Sequence, residues 1–337
     1  MTPLLRIKKI EAAITVSGVP DGVQPQLLAE LVQTLDEPVL FVARDDARAH
    51  ALIDELKFFA PDLALLYFPA WDCLPYDRVS PNHTLVAERM AVLSELTRSA
   101  PPLLITTINA VTQRVPPKAL LEDGVLAARP GDHLQRETLI AFLEKNGYAR
   151  ASTVMEPGDF AVRGSLIDLF APGHEHPLRL DFFGDELESV RAFDGLTQRS
   201  LHDAGALELM PVTEFLLDTE TISRFRQGYV ARFGAVTDDD PLYEAVSAGR
   251  RHQGMEHWLP LFHERLSSLS EYLPGARLVM DHLAEEARGE RMETIADYYA
   301  ARQEFDAEGS QFSGPAYKPL PPEALYLNDD EWTGLID

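Results

Sequence analysis

A single cysteine, no long apolar run and a shortage of positive charge mark this 337-residue sequence. Cys73 has no second cysteine to pair with, which excludes an intrachain disulfide framework and a cysteine-based zinc site. A reducing, cytoplasmic compartment is the simplest expectation. No stretch approaches the roughly 20 apolar residues that span a bilayer, so no membrane role is expected. The opening "MTPLLRIKKIEAAITV" has two lysines but neither a long apolar core nor a small-residue cleavage site, and reads as no signal peptide. Against 54 acidic residues stand only 30 basic ones, a net charge of -24. A field of that sign repels phosphate backbones, so broad binding of nucleic acid by this chain is not expected.

What is present is a globular sequence. Hydrophobic residues make up 45% of it, enough for two or three domains with cores of their own. The first third alternates strand-like and helix-like segments. "EPVLFVARD" reads as a strand, and "DARAHALIDELKFFA" as a helix capped by Asp45 or Asp46, with Ala47, Ala51, Leu52, Leu56 and Phe59 on its apolar face. "LALLYFPAWD", "TLVAERMAVLSEL" and "PPLLITTINAVTQRV" continue the alternation, which argues for a parallel α/β layer. From Val115 to Pro211 the texture changes to short period-two segments punctuated by Gly and Pro, read as an antiparallel α+β insertion. Helices return after Pro211, and "GARLVMD" reads as a buried strand ahead of a long helix. The expected division is residues 1–114, 115–211 and 212–337.

Chemistry-bearing signatures are sparse. There is no GxSxG and no HExxH. His174 and His176 flank one residue in a loop and lack a third ligand, while His257 and His263 stand six apart, not four. No metal site and no cofactor are expected.

The stretch "ITVSGVPDGVQPQLLAELVQTL" lies where a phosphate-binding loop would, between a strand-like and a helix-like run. Gly18 and Gly22 frame a turn. Val23 and Gln24 follow, where a working loop needs Lys and then Ser or Thr. Asp281 ends "LVMD" as a magnesium-linked carboxylate would, but His282 follows instead of a water-orienting Glu. A plain strand–turn–helix connection and a residual nucleotide site are both open.

In "HPLRLDFFGDELESVRAFD", alternation puts Leu178, Leu180 and Phe182 on one face of a strand and Arg179, Asp181 and Phe183 on the other. An outward Phe beside an Arg is the composition of a protein-binding hot spot. A Phe183 in a second core layer, with Arg179 paired to nearby acids, is the alternative. Arg163, on a neighbouring segment, joins them if the strands pair.

Three stretches carry a family resemblance: "FPAWDCLPYDRVSPNHTLVAERMAVLSEL", "FAVRGSLIDLFAPGHEHPLRLDFFGDELESVRAFD" and "HWLPLFHERLSSLSEYLPG". The chain resembles the N-terminal part of the Mfd family, the bacterial transcription-repair coupling factors, which itself resembles UvrB. The resemblance implies a degenerate helicase-type, P-loop NTPase-like parallel-sheet domain in two parts, 1a and 1b, with an inserted α+β domain 2. It implies that Gly18 to Gln24 stand at a lost Walker A position, and Asp281 and His282 at a lost Walker B position. It implies that the tyrosine-rich hairpin with which UvrB grips damaged DNA is missing, since the connection from Pro75 to Leu85 is short and holds Tyr76 as its one tyrosine. Domain 2 of the family binds UvrA, and its contact residues match Arg163, Arg179 and Phe183, which turns the balance toward an interface. A polymerase-binding domain, a DNA translocase and a C-terminal domain that covers domain 2 would follow Asp337. RNA polymerase and DNA are thus partners only through those regions.

Overall fold

The computed structural model describes residues 14–122, 124–236, 240–307 and 317–336. Two sheets carry the fold. The first is parallel, with four strands: β1 (Val39–Ala43), β2 (Leu65–Phe68), β3 (Leu103–Thr107) and β12 (Arg277–Met280), in the order β12-β1-β3-β2. β1 and β3 are buried throughout, as expected of central parallel strands covered on both faces. Helices α1 (Gln24–Thr34) and α2 (Asp46–Phe59) cover one face, and α3 (His83–Arg98) the other.

Asp45 caps α2, its side chain accepting from the Arg48 amide at 2.7 Å. The buried stripe of α2 is Arg48, Ala49, Leu52, Ile53 and Leu56. The expected face is therefore rotated: Ala47, Ala51 and Phe59 meet solvent. Ala49, Leu52, Ile53 and Leu56 stand at helical spacings that let one stripe meet both α1 and the sheet. "GARLVMD" forms β12 but is half-buried, because it is the sheet's edge. Residues 14–17 form no strand, so the expected strand ahead of Gly18 is absent over the described residues.

The chain leaves this sheet after β3 and returns to it with β12. Between them lies a six-stranded sheet in the order β10-β9-β8-β7-β6-β5: β5 (Ala149–Arg150), β6 (Asp159–Arg163), β7 (Leu166–Leu169), β8 (Leu178–Phe183), β9 (Glu186–Phe193) and β10 (Ser200–Asp203). It is antiparallel except where β5 joins β6. A two-stranded ribbon of β4 (Leu126–Ala128) and β11 (Leu207–Leu209) and helix α4 (Arg136–Lys145) pack on its inner face. That core contains Leu139, Leu143, Phe160, Ile167, Leu180 and Val190. Gly147 ends the helical stretch with φ +89°, a left-handed position that glycine takes without strain.

A third core lies among α5 (Thr219–Phe233), α6 (Pro241–Ser247) and α7 (Ala284–Ala307), around Phe215, Phe225, Tyr229, Trp258 and Phe262. Trp71 and Tyr76 from the connection after β2 are part of it. Tyr76 is buried at φ +56°, so this tyrosine belongs to the core rather than to a projecting hairpin. Asp240, in the acidic run "TDDDP", is buried. It accepts from the Tyr229 hydroxyl at 2.6 Å and pairs with Lys318 at 3.1 Å. Its neighbours Thr237 to Asp239 lie outside the described residues. No helix among the described residues is long and apolar enough to cross a membrane.

The two halves of the fold are joined by buried polar contacts. Arg89, on α3, donates from Nε to Glu214 Oε1 at 2.7 Å and from Nη1 to the Pro69 carbonyl at 2.6 Å, with both side chains out of solvent. Its guanidinium lies 4.4 Å from the Phe68 ring centroid. His83, the first residue of α3, donates to the Gly147 carbonyl at 3.1 Å and fills the space beside Gly158.

Candidate functional site

Two candidate sites emerge, one on each sheet. At the end of the parallel sheet, the structure brings Gln24 and Asp281 together across 257 positions of sequence, with Gln24 Nε2 donating to Asp281 Oδ1 at 3.4 Å. The contact is occupied by two arginines that the sequence reading did not single out. Arg44 Nη1 lies 3.4 Å from Asp281 Oδ2, and Arg48 Nε lies 3.5 Å from Asp281 Oδ1. Arg48 also donates to the Gln24 side chain. The carboxylate and Arg48 are both buried, so each neutralises a charge that would otherwise be costly to desolvate.

Both oxygens of Asp281 are thus engaged by side chains of this cluster. Asp21–Val23 form a turn of 3-10 helix, in which the Val23 amide donates to the Pro20 carbonyl at 2.9 Å. Pro25, at the second position of α1, has no N–H at all. The loop thus offers few of the free amides that cradle a phosphate. Val23 and His282 face solvent. A cleft of about 260 Å³ lies elsewhere, between Ser80, His83, Glu214, Arg251 and Glu256.

The second site is the outer face of the six-stranded sheet. The burial of β8 alternates as expected: Leu178, Leu180 and Phe182 are in the core, and Arg179, Asp181 and Phe183 are on the far side. Phe183 is 79% exposed, which rules out the second-layer placement. It ends β8, opposite Glu186 across a two-residue connection. Arg163 is exposed and stands in the row Arg163–Leu166–Asp181–Ser189. Strand β7 separates it from β8, so it joins the other two on one face without pairing directly. It donates to the Ser152 carbonyl at 2.8 Å.

Arg179 is paired to a nearby acid, as the alternative reading had it. It faces outward, but its side chain is only 19% exposed and is engaged on three sides. Nε and Nη2 donate to the two oxygens of Asp168 at 2.7 and 2.8 Å, and Nη1 donates to the Gln198 carbonyl at 3.3 Å. The guanidinium lies 4.6 Å from the Phe193 ring centroid. Asp168 is directly opposite on β7 and its side chain is 1% exposed. The hydrogen bonds to Asp168 hold the Arg179 guanidinium above its ordinary pKa. The cause of its partial burial is a small second core of Val154, Ala161 and Phe193, built over this row by the segments around 154 and 195. Asp168 is the residue that the sequence reading missed; its signal is an acid inside the apolar run "LIDLF", where only a paired carboxylate is stable.

Among the described residues no group of three or more His, Cys, Asp or Glu could hold a metal ion. His257 is buried, whereas His263 is half-buried and donates from Nε2 to the Glu214 carbonyl at 2.7 Å. Cys73 is half-buried, and burial beside Asp72 pushes its thiol up to about 12.

Comparison with known proteins separates the two sheets. The pattern of the UvrB interaction domain family matches residues 126–215, which contain the whole six-stranded sheet. The chain is 36% identical to the transcription-repair-coupling factor of Escherichia coli (strain K12) over 306 residues, 90% of this chain and 26% of the relative. It is 33% identical to that of Rickettsia bellii, covering 91% of this chain and 27% of the relative, and 34% identical to that of Haemophilus influenzae, covering 90% and 26%. The chain thus spans about a quarter of the length of the curated relatives it matches.

Proposed function

This chain belongs to the transcription-repair-coupling factors, of which it represents the N-terminal region, and from that premise we propose that it recruits UvrA to transcription-coupled repair. The observation that carries the proposal is Phe183. A large aromatic ring, 79% exposed, is held at a strand end inside the part of the chain matched by the UvrB interaction domain. Leaving such a ring in water is unfavourable unless a partner covers it, and aromatic anchors beside arginines dominate protein interfaces. Phe183 enters an apolar pocket of UvrA while Arg163 meets a carboxylate at its edge. Arg179 acts differently from the expectation: it holds Asp168 and the loop at Gln198, and so shapes the surface more than it contacts the partner.

The proposal extends to the remainder of the chain. Residues 1–114 and 212–337 form one degenerate helicase-type domain, 1a and 1b, and residues 115–211 form the inserted domain 2. The parallel domain binds no nucleotide and serves as a scaffold, a reading supported by Arg44 and Arg48 on Asp281. It also offers a surface against which domain 2 is held in a repressed state by more C-terminal regions. Translocation, polymerase contact and DNA contact are assigned to regions beyond these 337 residues.

Size-exclusion chromatography of purified UvrA with the purified chain tests the reading. A joint peak is expected, unchanged by ATP. Separate elution at micromolar concentrations of both would refute recruitment by this region.

A further inference from the structure

We infer that the surface covered by UvrA extends from Phe183 to a second apolar anchor, Leu196, at the tip of a rigid loop; the inference rests on the recruitment reading above. Leu196 is 83% exposed, more so than Phe183. Its loop joins β9 to β10 and is not loosely built. The Thr197 amide donates to Asp194 Oδ1 at 2.6 Å, the Gln198 amide to the Asp194 carbonyl at 2.7 Å, and the Asp194 amide to the Arg199 carbonyl at 2.9 Å. Gln198 closes the loop from inside, its Nε2 donating to the Gly195 carbonyl at 2.6 Å.

The backbone of Gln198 is left-handed, at φ +59°, a conformation that glycine adopts at lower cost. Glutamine stands there, and its side chain supplies the bond that glycine lacks. The Gln198 carbonyl in turn accepts from Arg179, which is locked by buried Asp168. The chain of contacts Asp168–Arg179–Gln198 therefore fixes a loop whose outermost residue is a bare leucine. An apolar side chain presented without freedom to move binds with little further loss of entropy.

Position supports the same partner for both anchors. The loop follows Phe193, whose amide bonds to the Pro177 carbonyl beyond the start of β8, whereas Phe183 ends that strand. About 17 Å of strand separates the two ends. A standard interface covers about 800 Å² per partner, a patch roughly 30 Å across, and so takes in both. Arg163 and Arg191 lie on the same face of the intervening sheet, with Asp181 in the row of Arg163 and Arg191 Nε 3.6 Å from Asp203 Oδ1, so the ground between the two anchors is polar and carries both signs of charge. The partner surface complementary to this face has two apolar pockets separated by polar ground of mixed charge.

Calorimetric titration of UvrA with the full chain tests the inference, using wild type, Phe183→Ala, Leu196→Ala, Leu196→Asp and Phe58→Asp. Phe58 is a control of equal exposure, 80%, on α2 of the other sheet. Leu196→Ala is expected to weaken binding several-fold and Leu196→Asp at least ten-fold, with melting temperatures unchanged and Phe58→Asp binding like wild type. Wild-type affinity in both Leu196 variants, with Phe183→Ala weakened, would overturn the second anchor and leave recruitment standing. No binding by wild type would overturn both.

Discussion

Arg179 and Asp168 form a fork-on-fork ion pair across β7 and β8, with contacts of 2.7 and 2.8 Å and the carboxylate shut away from water. Two parallel bonds to one carboxylate fix both side chains, and the Phe193 ring closes one side. The pair explains why an outward-facing arginine is not a free one. Removing only the arginine leaves a buried charge without a partner. Arg179→Ala is expected to cost about 3 kcal/mol of stability, read by urea unfolding. The double variant Arg179→Met with Asp168→Leu should recover most of that loss. Wild-type stability in Arg179→Ala would show that the pair contributes little. Any loss of UvrA binding in Arg179→Ala must be read against this loss of stability, which Phe183→Ala does not share.

Neutral His257 predicts an acid-sensitive core. Burial pulls its pKa down from 6.5 to about 4, and its ring lies between Trp71 and Tyr76. The unfolded chain binds this proton more readily than the folded one. Stability contributed at this position is therefore full above pH 6.5 and is lost as pH falls toward about 4, by roughly 3 kcal/mol. His257→Leu should flatten the difference in stability between pH 7 and pH 4.5 relative to wild type. An unchanged pH profile would show that His257 is not the group responsible.

The parallel sheet should ignore nucleotide. Millimolar Mg-ATP is expected to leave the melting temperature unchanged, whereas a ligand at ten times its Kd would add about 1.4 kcal/mol of stability. Val23→Lys combined with Gln24→Ser should bind no better, because Arg44 and Arg48 still cover Asp281 and Pro25 still removes an amide. A clear upward shift in either protein would revive a nucleotide site.

Gly158 sets how closely the segment leading into β6 approaches α3. At φ +92°, a Cβ there would lie 2.2 Å from His83 Cε1, and that ring is tied to the Gly147 carbonyl. Gly158→Ala combines backbone strain with a clash, and is expected to lower stability by about 2 kcal/mol or more. A melting temperature equal to wild type would mean that His83 moves aside freely.

Much of this was legible from the sequence, and the misses have physical causes. The central strands β1 and β3 read correctly because continuous apolar runs between turn signals leave few alternatives. The outward face of β8 was legible because period two is strict. Residues 14–17 read as a strand on local composition alone, but strands require a neighbour, and none is present there. The rotated stripe of α2 has a similar source: small alanines count as apolar in a periodicity yet gain little from burial, so Leu52, Ile53 and Leu56 decide the face. The sequence reading named Asp281 and Gln24, but the arginines that bind them were invisible. Nothing local in "ARDDARAH" shows that Arg44 and Arg48 meet a residue more than 230 positions away. Leu196 was missed for a related reason. A leucine in "FDGLTQRS" reads as ordinary loop until its exposure and the bonds beneath it are known.

The most direct test of the account places a photoreactive benzoylphenylalanine at position 183, where it preserves the aromatic side chain, and irradiates the chain in the presence of UvrA. The account predicts a covalent UvrA adduct from position 183 and none from the same group at position 58, a site of equal exposure on the parallel domain. Complex formation without an adduct at 183, or with one only at 58, would contradict it.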